Sequence, residues 1–154
     1  MKKKIWIVLG IIVALLLVIG GMYFHMSNAV AKDVQGNTYR YQSVSGDKAL
    51  YVTFEREGNK VVVNPNKNTA LSAAKSQSAF NTEYSSQEKD GTWNYKAQGN
   101  KLTLAKKVGN QVSQWQYNDI LSIKSKFVSF NFTYQIAKAG QGVVKNRTVF
   151  DKVN

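Results

Sequence analysis

Cysteine is absent from the 154 residues, and proline and histidine occur once each. Without a thiol there can be no disulfide, no thiolate nucleophile and no lipid-modified cysteine tether. The single imidazole, His25, stands at the end of an apolar run. Histidine-based metal sites and Ser-His-Asp triads are thereby closed. Acidic residues are scarce too: 9 Asp and Glu stand against 21 Lys and Arg, for a net charge of +12. At roughly 100 to 200 residues per domain, the chain has room for one globular domain and a targeting segment, which excludes a multidomain enzyme.

Charge is missing altogether from the 20 residues that begin at Ile5 and end at Phe24, directly behind Lys2, Lys3 and Lys4. As a helix that run reaches about 30 Å, the hydrocarbon thickness of a bilayer. The positive-inside bias holds the lysines on the cytoplasmic side, so the chain beyond emerges on the outer face. Residues 1–26 therefore read as a transmembrane anchor or signal segment, 27–35 as a linker and 36–154 as an extracytoplasmic domain. Ala29-Val30-Ala31 is an A-x-A tripeptide just ahead of Lys32, which makes Ala29 and Ala31 a candidate signal-cleavage site. Twenty apolar residues exceed the roughly 7 to 15 of a signal core and match a spanning helix. We expect a single-pass protein of the cell membrane, with secretion after cleavage as the alternative. His25, beside Met26, reads as an interfacial residue.

Residues 32–154 carry 15 Lys and 3 Arg against 9 acids. Aromatic and β-branched residues alternate there with polar ones in short runs, as in a mostly antiparallel β domain. Gly58-Asn59, Gly99-Asn100 and Gly109-Asn110 are three turns of one chemistry, suited to φ > 0. Residues 54–63 align without gaps on 95–104, and 38–41 on 92–95, but at unequal offsets, which argues against a solenoid of fixed period. Strands are predicted at 37–44, 48–56, 60–64, 82–87, 91–97, 101–107, 111–118, 120–124, 126–137 and 143–151. In the strongest, Val128, Phe130, Phe132, Tyr134 and Ile136 share one face. Strands at this spacing predict an antiparallel barrel, or else a barrel-like sandwich. Between Pro65 and Phe80, Thr69 is a candidate cap for a short helix over 70–78, with Leu71 and Ala74 inward; otherwise the segment is a polar loop.

Thr38-Tyr39-Arg40-Tyr41, then residues 54–63, then Gly91-Thr92-Trp93 leading through Gly99-Asn100-Lys101-Leu102-Thr103-Leu104, resemble small bacterial lipocalin-like extracytoplasmic proteins. The resemblance spans residues 36–107 and implies a compact antiparallel β-barrel, exported and often tethered to the envelope. In lipocalins the Gly-x-Trp motif opens the first strand, whereas here it lies in mid-chain, so only the architecture is carried over.

For catalysis the material is thin. Glu55 and Glu57 flank Arg56 beside a turn, Glu88 and Asp90 precede Gly91, and Asp119 follows an aromatic strand; all read as turn charges rather than the facing pair that glycoside chemistry needs. No phosphate-cradling loop or metal-ligand cluster is present, and no cofactor is expected. Trp93, Tyr95, Trp115, Tyr117, Phe130, Phe132 and Tyr134 either fill the core or line a cavity for an apolar ligand. Lysine in excess over arginine favours diffuse attraction to polyanions, here anionic lipid head groups or wall polymers such as teichoic acids. The export segment directs the domain away from nucleic acid. These readings converge on a non-enzymatic, membrane-anchored binding module of the envelope for a surface polymer, a partner or a small apolar ligand. The alternative is a structural or regulatory subunit that docks on a neighbouring membrane protein through its anchor.

Overall fold

The computed structural model describes residues 2–43 and 46–154. Val44, the last residue of the predicted first strand, lies outside them. The uncharged run lies in one helix, α1 (Lys2–Asn28), exposed from Ile5 to His25 and long and apolar enough to cross a membrane. It is apolar on every side, as a helix surrounded by lipid should be. A single turn, α2 (Val30–Asp33), follows and enters the β domain, where Val30 and the following Val34 are fully buried.

The domain is built from β1 (Thr38–Gln42), β2 (Ala49–Phe54), β3 (Val61–Asn64), α3 (Lys67–Ala73), α4 (Gln77–Gln87), β4 (Thr92–Gln98), β5 (Lys101–Val108), β6 (Gln111–Asn118), β7 (Leu121–Ile123), β8 (Lys126–Ser129), β9 (Asn131–Ile136), β10 (Gly140–Val144) and β11 (Thr148–Lys152). All pairings are antiparallel, in a six-stranded sheet of order β3-β2-β1-β11-β8-β7 and a five-stranded sheet of order β10-β9-β6-β5-β4. The domain is thus mainly β, but the two sheets form an open sandwich and not a closed barrel. They touch at β3 and β4 through one isolated bridge, Lys60 to Asn94, and the Tyr95 amide donating to the Asn59 carbonyl at 2.7 Å. Tyr39, Val52, Phe127 and Phe150 from the larger sheet meet Leu102, Leu104, Tyr117 and Phe132 from the smaller in one core.

Four predicted elements differ. Residues 126–137 are not one strand: β8 belongs to the larger sheet and β9 to the smaller, and the chain turns the corner at Phe130. The inward set shifts parity there, from Phe127 and Ser129 to Phe132, Tyr134 and Ile136, so Val128 and Phe130 leave the predicted face. The Ser129 hydroxyl lies 2.7 Å from the carbonyls of both Asn118 and Asn131, and its single proton serves one or the other of these backbone acceptors at a place where strands change sheets. Similarly, 143–151 splits into β10 and β11, one in each sheet.

The predicted strand at 82–87 is instead the second half of α4. Two caps explain the helical hairpin: Asn66 accepts from the amides of Asn68 and Thr69 at 2.8 and 3.3 Å, and Ser76 from Ala79 at 3.1 Å. Asn66, not Thr69, is the cap. Ala70 and Ala73 face inward rather than Leu71 and Ala74, and with Phe80 and Tyr84 they cover the outer face of β2 and β3.

Candidate functional site

Alternation along the strands sends Tyr41 and Leu50, which are register partners on β1 and β2, to the inside of the larger sheet. It sends Leu104 and Trp115, partners on β5 and β6, to the inside of the smaller one. Near one end of the sandwich these walls stand apart and enclose a cleft of about 420 Å³, lined by Tyr41, Ser43, Leu50, Trp93, Leu104, Trp115, Tyr117 and Ile136. All but Ser43 are aliphatic or aromatic, and the volume lies within the range usual for small-molecule sites. Trp93 on β4 and Trp115 on β6 reach across β5 and stack, ring centroids 5.3 Å apart at 22°. The Lys106 ammonium sits 5.7 Å over the Trp93 ring.

The opposite end is shut by α2. Val30 and Val34 enter the core there, and Asp33 ties the segment down: its carbonyl accepts from the Tyr39 hydroxyl and the Asn37 side-chain amide, both at 2.7 Å, and its carboxylate from the Ser122 hydroxyl at 2.6 Å. The end of α1 lies against β7, the edge strand of the larger sheet, which it helps to cover.

Of the seven aromatic residues proposed as cavity lining, Trp93, Trp115 and Tyr117 line this cleft. Tyr95 instead packs its ring against Phe54 at 4.9 Å, and Phe132 packs against Tyr117 at 5.6 Å, both as core. Tyr134 lies over Gly142 on the neighbouring strand, where a side-chain carbon would come within 2.7 Å of its hydroxyl oxygen. Phe130, at the corner, is 48 % exposed. Tyr41, Leu50, Leu104 and Ile136 join the site without having been singled out; alternation marks each as inward, but only the sheet order brings them together.

Glu55 departs from its reading as a solvated turn charge. It is 8 % exposed, and accepts from the Lys60 amide at 3.2 Å and the Gln77 side-chain amide at 3.0 Å. Asp119 is an exposed turn residue at φ 51°, accepting from the Asn131 side chain. Among the described residues no three His, Cys, Asp or Glu side chains converge as for a metal.

The outer face of the five-stranded sheet is of another character. It bears Lys96 and Gln98 on β4, Lys101 and Thr103 on β5, Gln114 and Gln116 on β6, Gln135 on β9 and Gln141 on β10, around two shallow grooves of about 530 and 450 Å³ that share Gln116. No carboxylate occurs in any strand of this sheet, and residues 91–150 hold eight Lys and one Arg against Asp119 alone.

Burial raises the phenol pKa of Tyr41, and burial followed by the proximity of Tyr41 raises that of Tyr117. Both stay protonated where an unfolded tyrosine, near pH 10, begins to ionise. Stability from these groups is therefore complete below pH 10 and declines above it, each contributing a slope of about 1.4 kcal/mol per pH unit. Absorbance near 295 nm should show tyrosines that ionise only as the fold is lost; free titration of every tyrosine in the folded protein would contradict their burial.

No family model, curated protein or solved structure matches the chain.

Proposed function

We propose that the protein is a membrane-anchored, non-enzymatic binding module of the bacterial envelope that takes a small apolar ligand into the cleft between its sheets. The observation that carries this reading is the cleft walled by the Trp93–Trp115 stack: large apolar side chains that a domain of this size normally spends on close packing instead border an opening. In the full chain held in phospholipid nanodiscs, Trp6→Phe leaves Trp93 and Trp115 as the only indoles. A brominated alkane should then quench their emission along a saturable curve. Quenching that merely rises in proportion to the added alkane would overturn the reading.

The junction supports an uncleaved anchor. A cut behind Ala31 removes Val30, whose side chain is fully buried. That loss corresponds to about 2 kcal/mol. A soluble domain beginning at Lys32 should unfold at correspondingly lower urea than one beginning at Ala29, and the intact mass of the cellular protein should include α1. A mature N-terminus at Lys32 would refute the anchor.

The carboxylate-free outer sheet favours a second activity, attraction of an anionic wall polymer of the teichoic-acid kind. Such binding would weaken steeply with salt, since screening sets in over about 8 Å at physiological ionic strength. Lys96→Ala with Lys101→Ala should weaken it further, while uptake in the cleft responds to neither change.

A further inference from the structure

The inner end of the cleft is not hydrocarbon throughout. Tyr41 and Tyr117 are 5 % and 2 % exposed, yet both line the cleft. Their rings are fixed: Tyr41 stacks on Phe150 at 4.8 Å, Tyr117 meets Phe150 edge-on at 4.9 Å, and the two tyrosines lie edge to face at 6.4 Å. Five other buried hydroxyls of the domain are engaged. Tyr39 and Ser122 donate to Asp33 at 2.7 and 2.6 Å, Thr38 and Thr53 share a bond of 2.9 Å, and Ser129 reaches two carbonyls. Ser43, the third hydroxyl on the cleft wall, donates to Asp47 at 3.1 Å. Tyr41 and Tyr117 line the cleft with hydroxyls that have no hydrogen-bond partner among the described residues.

Among the described residues no fully buried side-chain nitrogen or oxygen lacks a hydrogen-bond partner, so these two phenol oxygens, which have none, are open to the cleft. Phenylalanine would fill the same ring positions without presenting a hydroxyl to the cleft, as it does at 127, 132 and 150. Each phenol is protonated across the physiological range and is therefore a donor. Among the described residues the cleft lining includes no cation; Lys106 lies over the ring of Trp93 but is not one of the lining residues. An ionised carboxylate drawn to the phenols would lose its hydration without gaining a counter-charge, a penalty of several kcal/mol. An alkane would leave both donors as they are. A carbonyl or ether oxygen accepts from them and brings no charge.

We propose that Tyr41 and Tyr117 are the specificity-determining pair of the cleft, donating hydrogen bonds to an uncharged oxygen acceptor on an otherwise apolar ligand, whose remainder lies along Trp93 and Trp115. The inference rests on the reading of the cleft as a ligand site and adds the chemical class it selects. The selectivity follows from geometry: a site that presents hydrogen-bonding groups discriminates against an analogue lacking the matching atom.

The test uses the full Trp6→Phe chain in nanodiscs with three probes of one chain length: a brominated fatty-acid methyl ester, the brominated alkane and the brominated free acid. The ester should saturate at the lowest concentration in the membrane. Tyr41→Phe and Tyr117→Phe keep the rings and should each weaken ester binding about three- to tenfold, the worth of one neutral hydrogen bond, while leaving the alkane unchanged. Because the ratio of ester to alkane is read within one variant, a general loosening of the fold would not move it. Equal saturable binding of ester and alkane, or an ester preference that survives both substitutions, would overturn the tyrosine assignment and leave the cleft standing. Tighter binding of the free acid would overturn the uncharged acceptor. Absence of saturable quenching by all three would remove the cleft reading and this inference together.

Discussion

Phe150→Ala should lower the unfolding free energy by about 3 to 5 kcal/mol, a large part of the 5 to 15 kcal/mol typical of a domain. Phe150 is fully buried on β11, between β1 and β8, and its ring stacks on Phe127 at 4.3 Å and on Tyr41 at 4.8 Å while Tyr117 meets it edge-on. It is the common support of both tyrosines at the cleft. Removing it deletes aromatic contacts and opens a void between sheets that are joined at one margin by a single bridge. Urea unfolding followed through Trp93 and Trp115 measures the loss. Phe150→Leu, which keeps most of the volume, should cost less than half as much. A loss below 1 kcal/mol for alanine would show that the support is loosely packed and the cleft floor deformable.

Gly58→Ala should be nearly as damaging, although it adds only one methyl group at an exposed turn. Gly58 has φ 154°, a conformation that L side chains rarely adopt, and an added carbon would lie 2.1 Å from one Glu55 carboxylate oxygen. Glu55 cannot swing aside cheaply, because that carboxylate holds the Lys60 amide of the hairpin and the Gln77 side chain of α4. Backbone strain of about 1 to 3 kcal/mol adds to the loss of a buried carboxylate's partners. The pair Glu55→Ala and Gly58→Ala tests the coupling: the double variant should be less destabilised than the sum of the singles, since the clash disappears with the carboxylate. Strict additivity would show that Gly58 acts through its backbone alone.

Much of the β domain was legible because alternation and Gly-Asn turns are local signals. Gly99 and Gly109 adopt positive φ at the β4–β5 and β5–β6 turns, and those strands start within a residue of where pattern alone places them. What escaped depends on non-local choices. Nothing in the alternation of 126–136 announces that the chain changes sheets at Phe130, because a one-residue shift of parity is invisible until the partners of each half are known. Residues 82–87 resemble a strand by composition, but Phe80 and Tyr84 stand one helical turn apart, and Ser76 supplies the cap; those two signals outweigh the composition. The site divides in the same way. Trp93, Trp115 and Tyr117 are conspicuous as aromatic residues on alternating strands. Tyr41 and Leu50 become part of the site only because β1 sits between β2 and β11, across the core from β5 and β6, an arrangement set by long-range pairing.

The plug at one end of the sandwich and the opening at the other impose a direction on traffic. With α1 in a bilayer, the sealed end faces the lipid and the cleft opens away from it. The eight residues of β5 run from one end to the other, roughly 26 Å at strand rise. On the proposed reading of α1 as an anchor, an occupant of the cleft would enter at the end of the domain remote from the lipid, and the anchor would station a receiver at a fixed height above the surface rather than extract cargo from beneath it.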